Sequence, residues 1–504
     1  MKKTYFFLLL FIFPIIFCCK LNAQTTQSVL DKANELVLNG RLEEAQIYLE
    51  RFHRANPKEV KITVAYAQVA YQNKKYGTFM DLYDEALEFQ PKNFPMKLDY
   101  AKMLFDINEY DKCLPILETY LVHDPNNIEA LFDKAKILRY NEEYSESSLA
   151  LSKILSKDPS NAEARENYAE VQILKSSWLK LTAAYISDSQ PIDLFAPVLE
   201  GGLYKNSGVQ LKMNVGALLY SRRTQSNVSN YKFQLENRSF IKDVGVGINY
   251  GFGVVKYGDN QFDFTGRVKF DKYAERYILL TLSGERKPYF GSLYSLDTNI
   301  MVHSAAATLS LITKESWNGK LTFTTDFFDG FDNPITTAVS SLYAPRLKLK
   351  DFDFRLGYGL FFSTSKIDKF FSDKSNAEII SSGSTAPYYI GNYYPYYTPK
   401  NQFANSLLLS IGYSPSVQTQ AGLDLNYGFL ATADRAYFSK VTNSGGESFV
   451  TKNYSEADYN PADITFFVRS LITPKIAMNI DFNYSRNFFY ITRSIALGVK
   501  VNFF

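Results

Sequence analysis

Residues 476–485 read Ile-Ala-Met-Asn-Ile-Asp-Phe-Asn-Tyr-Ser, and the pattern of this stretch decides the fold. Every second residue from Ile476 to Tyr484 is apolar, and the residues between them are small or polar. Because successive side chains of a strand point to opposite faces, the stretch predicts a β-strand with one apolar and one polar face. The same alternation returns in 209–219 and 352–360. The second half of the chain therefore predicts a sheet.

Sixteen segments of this kind follow one another from Trp178 onward. Their number, their length of about ten residues or more and the aromatic residues near both ends favour a transmembrane β-barrel over a soluble sandwich. We expect strands near 178–186, 193–205, 208–221, 230–238, 243–254, 261–270, 275–285, 299–313, 317–328, 336–349, 351–364, 404–414, 417–431, 461–472, 474–487 and 490–503.

The connections between these segments predict the topology. On one side they are mostly tight, as at Ser414-Pro415-Ser416, and on the other they include the long stretches 365–403 and 432–460. Short periplasmic turns and long outer loops are typical of outer-membrane barrels, and an even number of strands returns both ends of the barrel to the periplasm. The final Phe503-Phe504 resembles the terminal signal for barrel insertion, although Phe504 lies one step off the apolar phase.

The first half has a different period. Prolines recur at intervals of 34 residues, the length of a tetratricopeptide repeat, at Pro57, Pro91, Pro125 and Pro159. Alanines that let two helices approach recur at the same interval, at Ala33, Ala67, Ala101 and Ala135. Larger residues that wedge between units do so at Leu42, Tyr76, Tyr110 and Tyr144. We expect four repeats near 26–59, 60–93, 94–127 and 128–161, with a helix over 162–175 covering the last open face.

Some repeat positions depart from the consensus. Phe79, Cys113 and Ser147 stand where Ala45 fits it, which we interpret as packing variation. The pairs Lys74-Lys75 and Glu142-Glu143 are expected on solvated faces. A stacked array presents a concave surface for a peptide, a partner protein or a polymer.

The first residues predict secretion. Lys2 and Lys3 precede an apolar run from Tyr5 to Phe17, and cleavage is expected after Ala23. Two alternatives are a membrane anchor, for which about 13 apolar residues are few, and a lipoprotein. The lipoprotein would use Cys18 or Cys19, each preceded by Phe or Cys where a small residue is usual.

The ionisable residues argue against catalysis. The three histidines, His53, His123 and His303, are isolated, and cleavage would leave Cys113 as the single cysteine. No nucleophile-base set, phosphate loop or zinc spacing is present, and the carboxylates are too scattered to single out a glycosidase pair. We expect no catalytic residue, no metal, no cofactor and no disulfide, and hence no enzyme.

The predicted fold class is an α + β multidomain protein, an α-helical repeat solenoid followed by a transmembrane antiparallel β-barrel of about 16 strands. The expected domains are a signal peptide at 1–23, a periplasmic repeat domain at 24–176 and an outer-membrane barrel at 177–504. The repeat domain carries an excess of acidic residues and the barrel an excess of basic ones, within a net charge of +3. Neither excess is large enough to imply nucleic acid.

This domain order resembles the outer-membrane exopolysaccharide exporters of the cellulose synthase operon protein C type. Locally, Tyr396-Tyr397-Thr398-Pro399-Lys400-Asn401-Gln402-Phe403 resembles that family's Tyr-Tyr-Ser-Pro-Gln…Tyr element, with Thr398, Lys400 and Phe403 as departures. The family's repeat arrays are usually much longer than four units. The resemblance implies a conduit for an exported polysaccharide.

Two sets of candidate site residues follow. Tyr393, Tyr394, Tyr396 and Tyr397 are either an aromatic belt at the membrane interface or a platform on which sugar rings stack. Charged residues on the polar phase of the strands are expected to line the pore, because charges facing lipid are costly. They are Lys212, Lys232, Arg267, Lys269, Asp326, Arg355, Asp424, Asp463, Arg469 and Asp481.

Three functions remain open from the sequence. The first is polysaccharide export, in which the mildly basic barrel suits a neutral or acidic polymer. The second is an outer-membrane scaffold whose repeats recruit periplasmic proteins of a secretion, adhesion or motility complex. The third is a porin with an appended recruitment domain. The expected partners are outer-membrane lipid, a periplasmic protein bound by the repeats and, for export, a polysaccharide.

Overall fold

The computed structural model describes residues 25–205, 209–222, 225–241, 244–275, 277–313, 316–416, 418–473 and 475–503. The predicted signal peptide lies outside these residues. The chain forms two compact units that divide between Ile137 and Leu138.

Nine α-helices precede the first strand within the described residues. They are α1 (Thr26–Leu38), α2 (Leu42–Ala55), α3 (Val60–Gln72), α4 (Tyr76–Phe89), α5 (Phe94–Asp106), α6 (Tyr110–His123), α7 (Ile128–Tyr140), α8 (Tyr144–Lys157) and α9 (Ala162–Lys175). The helix starts recur at the predicted interval of 34 residues, so the tetratricopeptide-repeat fold is confirmed. None of the described helices combines the length and the apolar character needed to cross a membrane.

The repeated residues pack as their chemistry predicts. Ala67 and Ala101 are fully buried, and so are Phe79 and Cys113 at a position where the consensus has alanine. The Cys113 thiol donates to the carbonyl oxygen of Ala101 at 3.2 Å. The departures from the consensus are therefore core side chains that fill space between helices.

The second half of the chain is a barrel. Its strands are β1 (Ser177–Asp188), β2 (Ile192–Lys205), β3 (Val209–Arg222), β4 (Val228–Ile241), β5 (Val246–Lys256), β6 (Phe262–Glu275), β7 (Ile278–Pro288), β8 (Met301–Ile312), β9 (Asn318–Phe328), β10 (Ile335–Tyr343), β11 (Leu347–Leu349), β12 (Phe352–Ser365), β13 (Phe370–Ser372), β14 (Gly391–Tyr393), β15 (Gln402–Ser416), β16 (Thr419–Thr442), β17 (Ser448–Tyr459), β18 (Ala462–Thr473), β19 (Ile476–Arg486) and β20 (Ile491–Phe503). Sixteen of these described strands form a closed antiparallel barrel, which β1 completes by pairing with both β2 and β20.

The other four strands lie outside the barrel wall and show where the sequence prediction was wrong. The strand expected over 336–349 is interrupted after Tyr343, because Pro345 has no amide hydrogen for the ladder, and β11 is a separate short strand. The stretch 432–460, expected as a loop, is a hairpin in which β16 continues to Thr442 and pairs with β17. The predicted loop 365–403 holds the β13–β14 pair and a short helix, α10 (Asn376–Ser381).

The two ends of the barrel differ in their connections. The near mouth is the end at which Ser177 and Phe503 pair, and its connections are short, the longest being 344–351. The far mouth is the opposite end, and it carries the long segments 289–300 and 366–401 as well as the β16–β17 hairpin. This alternation follows the predicted pattern of short and long connections.

Candidate functional site

The inner face of the barrel is polar. Lys180 of β1 faces Glu200 of β2, and the same phase continues in β3. Residues of this phase from seven consecutive strands line one cavity of 660 Å³, which requires them to lie on the concave side. The opposite phase carries exposed apolar side chains such as Leu181 and Leu199.

The register places all ten predicted pore-lining residues on this inner face. They are Lys212, Lys232, Arg267, Lys269, Asp326, Arg355, Asp424, Asp463, Arg469 and Asp481. Their contact with a transported molecule stays a prediction. Several form ion pairs, as Arg267 does with Glu236 of β4 at 3.2 Å and Lys269 with Asp271 of the same strand at 3.0 Å. The wall therefore presents both signs of charge.

At the near mouth, the turn of the fourth repeat meets this wall. Gly40, Lys74, Asn108 and Glu142 occupy equivalent turns of the four repeats, and all four have a left-handed backbone with φ between 60° and 72°. This conformation ends a helix and favours glycine, so a larger residue is retained there at some cost. Glu142 is the member of the set that is buried, with 6% of its surface exposed.

The buried carboxylate of Glu142 accepts a hydrogen bond from Arg238 Nε of β4 at 2.5 Å. Arg238 also lies 3.6 Å from Asp271 on the inner face of β6. Beside this pair, the Tyr204 hydroxyl contacts the backbone amide of Tyr144 at 3.1 Å. The expectation that Glu142 lies on a solvated face was therefore wrong. The α8–α9 hairpin is attached to the inner wall of the barrel at its first residue and through the turn that precedes α8.

At the far mouth, two segments cross the opening. Gln190, between β1 and β2, accepts from the amide of Leu293 at 3.2 Å and donates to the carbonyl of Gly291 at 3.2 Å. Residues 289–300 connect β7 to β8, which lie several strands away around the wall. The hydroxyl of Ser292 in turn donates to the carbonyl of Pro395 at 2.6 Å. Contacts between such distant connections require the segments to extend over the lumen.

The crossing segment 289–300 is held by apolar contacts and one ion pair. Its Phe290, Leu293 and Leu296 pack against residues on the inner face of β2 and β3, including Ile192 and Tyr220. The guanidinium of Arg222, almost without exposed surface, lies 2.6 Å from the carboxylate of Asp297 in the short 3-10 helix of this segment. The inner face thus changes from polar to apolar near the far mouth, where it receives the segment.

The four predicted sugar-stacking tyrosines all lie in the second crossing segment, 366–401. Tyr396 is fully buried and stacks on Phe328, with ring centroids 3.8 Å apart. Tyr393 is also buried, whereas Tyr394 is 51% exposed. Tyr397 contacts the rings of Tyr393, Phe489 and Tyr490. Of the four, Tyr394 presents the largest free surface, and sugar stacking stays a prediction.

These rings belong to an aromatic layer that the sequence analysis did not identify. Tyr289 contacts both Phe328 and Tyr396, and its hydroxyl accepts from the amide of Tyr397 at 3.4 Å. Burial raises the pKa of Tyr289 to about 12 and raises that of Tyr397 well above its usual value, so both phenols are neutral at physiological pH. Five apolar residues within 289–296 were the available signal, because a fully solvated loop rarely carries so many.

Below this layer, a cavity of 620 Å³ is lined by Tyr289, Tyr397, Asp326, Asn426 and Asp463 among others. Asn426 donates to Asp463 at 3.0 Å. The cavity therefore combines aromatic rings with carboxylate and amide groups. In the described part of the chain, no group of three or more histidine, cysteine, aspartate or glutamate side chains is placed to hold a metal ion.

Comparison with known proteins separates the two halves. The tetratricopeptide-repeat family model matches residues 30–94. Among solved structures, a bacterial polysaccharide outer membrane secretin is similar over 66% of this chain and 99% of its own, with 9% identity and a TM-score of 0.46. Comparison with curated protein sequences gives no significant match.

Other similar structures cover the repeats alone. MamA from Desulfovibrio magneticus RS-1 is 17% identical over 30% of this chain and 85% of its own, with a TM-score of 0.28. A tetratricopeptide repeat protein from Parabacteroides merdae is 22% identical over 30% of this chain and 60% of its own, with a TM-score of 0.28. The repeat-then-barrel order that the resemblance implied is the order in the structure.

Proposed function

We propose that this chain is an outer-membrane barrel that conducts an exported polysaccharide, with its repeats on the periplasmic side. The outer face supports the membrane location, because its exposed leucine and phenylalanine side chains form the apolar surface that lipid requires. The near mouth is then periplasmic, since the helices precede β1 at that end. The far mouth, with its long segments, faces the cell exterior.

The observation that carries the export proposal is the composition of the inner face. It offers charged and amide groups along the wall and aromatic rings at both ends, Trp178 near the near mouth and Tyr289 with Tyr397 at the far one. Hydroxyl-rich polymers need many weak hydrogen bonds, and the apolar faces of sugar rings pack on aromatic rings. A wall of this kind suits passage of a glycan better than passage of an apolar solute.

The proposal assigns no covalent chemistry to the chain. Positioning and solvation of a polymer need only side chains that bind weakly and repeatedly, and we expect the chain not to be an enzyme. The α8–α9 hairpin is fixed at the near mouth through Glu142 and Arg238. A periplasmic protein bound to this hairpin would be brought to the entrance of the pore.

One observation favours the second candidate, an outer-membrane scaffold. The crossing segments 289–300 and 366–401 extend over the far mouth, and a scaffold needs no open lumen. Under this hypothesis the barrel is an anchor and the repeats recruit secretion, adhesion or motility proteins. A plain porin has no use for the repeats.

Deletion of the chain separates the two candidates. Export predicts loss of a surface glycan, with polymer or its fragments accumulating in the periplasm, while inner-membrane synthesis continues. Complementation with the full chain should restore the glycan. An unchanged surface glycan together with lost secretion or adhesion of particular proteins would reject export and favour the scaffold.

A further inference from the structure

A second site lies on the inner face near the near mouth, around Trp178. This 660 Å³ cavity is of the size that small-ligand sites have. Register places Trp178 opposite Gly202 of β2. A Cβ at Gly202 would lie 2.3 Å from the indole nitrogen, so only glycine leaves room for the ring in this position.

Lysines surround the indole ring. The amino group of Lys500 lies 4.8 Å from the ring centroid and that of Lys212 lies 5.9 Å from it. Lys180 directly faces Lys500 on the neighbouring strand. Like charges placed opposite each other destabilise a sheet, so a site that keeps them has a reason other than folding.

The cavity lining holds two carboxylates, Glu200 and Asp481, against four cations, Lys180, Lys212, Lys500 and Arg469. Glu200 lies 3.5 Å from the amino group of Lys180 and 3.9 Å from that of Lys212, so two cations share one anion. Within the described residues, Lys500 has no carboxylate oxygen within 4.0 Å of its amino group. The cavity therefore has an excess of positive charge that an anionic ligand would satisfy.

The rest of the lining includes neutral hydrogen-bonding groups. Gln418, Gln420 and Asn479 supply amide groups on the side of the cavity near β16 and β19. An aromatic ring, amides and an excess of cations together match a sugar that carries a carboxylate. A simple inorganic anion would use the lysines alone.

We propose that the Trp178 cavity binds a uronate unit of a glycan, with the pyranose ring against the indole and the carboxylate at Lys500 and Lys212. This inference rests on the proposed export function and deepens it by naming an acidic polymer as cargo. Glu200 holds Lys180 and Lys212 in place and competes with the ligand carboxylate for them.

Tryptophan fluorescence tests the proposal directly. The chain has two tryptophans, so the full-length Trp317→Phe protein in detergent reports on Trp178 alone. Titration with a uronate hexasaccharide should change the emission saturably. Lys500→Met should weaken binding about tenfold, and Glu200→Gln should strengthen it. Lys272→Met, on the outer face of β6 near the same mouth, is the matched control and should change nothing.

Opposite effects of Lys500→Met and Glu200→Gln cannot both arise from misfolding, so their combination supports the site. Equal binding of a neutral glucose hexasaccharide, or of inorganic phosphate with the same dependence on Lys500, would overturn the assignment to a uronate. That result would leave export of a neutral polymer intact. Conversely, uronate binding in a protein whose deletion leaves the surface glycan unchanged would reject the export function alone.

Discussion

Glu142 shows how one residue of a repeat can acquire a second role. The left-handed turn at this position belongs to every repeat, as at Gly40 and Asn108, and it was predictable as a helix end. The ion pair with Arg238 was not, because the two residues lie 96 positions apart and no periodicity joins them. A turn can be predicted because its conformation depends on neighbouring residues. A partner on a distant strand cannot be predicted in this way, because the contact depends on how the barrel closes.

Breaking this pair should loosen the α8–α9 hairpin. Glu142→Gln and Arg238→Gln each remove the ion pair, and the loss of a hydrogen-bond partner at a buried group costs about 1–3 kcal/mol. We expect faster amide hydrogen exchange in α8 for each single variant and a smaller combined effect in the double variant. Arg139→Gln is the matched control, because the pair of Arg139 with Glu170 is largely exposed. Equal exchange in all variants would show that the hairpin is held by other contacts.

Asp133, in α7, should make the repeats pH-sensitive. Burial raises the pKa of its carboxyl to about 6. The positive charge of Lys136 lowers this pKa in part, and the negative charge of Glu129 raises it further. The folded state therefore binds this proton more tightly than the unfolded chain does. The contribution of Asp133 to the free energy of unfolding is largest below pH 4 and is lost as the pH rises through 6. Asp133→Asn should remove that loss at pH 7, on the order of 1 kcal/mol after allowance for partial exposure. Thermal melts of the helical circular dichroism measure it.

The matched control for this prediction is the exposed Asp81 of α4. Asp81→Asn should leave the melting temperature and its pH dependence unchanged. If Asp133→Asn melts at the same temperature as the parent at pH 7 and keeps its pH dependence, the carboxyl is solvated in the folded protein and the prediction is wrong.

At the scale of elements, strand phase is the most predictable feature. Leu425 of β16 lies opposite Leu409 and faces outward, whereas the adjacent Asn426 lies opposite Leu408 on the inner face. Leu425→Arg should therefore impair membrane insertion, since an arginine facing the middle of the bilayer costs roughly 2–4 kcal/mol. Asn426→Arg should insert normally beside Asp463. Heat-modifiable gel mobility measures insertion, and equal tolerance would mean that the register is wrong by one residue.

The crossing segment 289–300 should restrict the pore. Arg222→Ala removes the buried partner of Asp297, so the segment should leave the lumen more often. We expect a higher mean conductance in planar bilayers than for the parent protein. Lys366→Ala is the control, because Lys366 and Asp332 form an exposed pair in far-mouth connections. Unchanged conductance with Arg222→Ala would show that the apolar contacts of Leu293 and Leu296 suffice to hold the segment.

Such segments escape sequence analysis for a physical reason. Strands can be predicted from the alternation of apolar and polar residues, and the helical repeats from their 34-residue interval. Both patterns arise because equivalent positions share the same local environment. The aromatic layer of Tyr289, Phe328 and Tyr396 has no period, since each ring enters from a different connection. The inner-wall residues were predictable from phase, whereas the closure of the far mouth depends on which connections meet across the lumen.

At the scale of the whole molecule, the barrel makes a prediction about sidedness. A tag inserted at Ser384, within the long far-mouth segment, should be labelled on intact cells. The surface from Ser381 to Pro387 is exposed, so the insertion should leave the buried Tyr393 and Tyr396 in place. A tag between Lys350 and Asp351, in a near-mouth connection, should be labelled only after the outer membrane is opened.

The same logic places a tag beside Gln24, which lies outside the described residues, in the periplasm. The chain from Gln24 enters the barrel at the start of β1, at the same mouth as the Lys350 connection, so the tags at Gln24 and Lys350 must behave alike. Labelling of the Gln24 or the Lys350 tag on intact cells, with the Ser384 tag protected, would invert the orientation. The repeats would then face the exterior, and a role in receiving a polymer from the periplasm would be excluded.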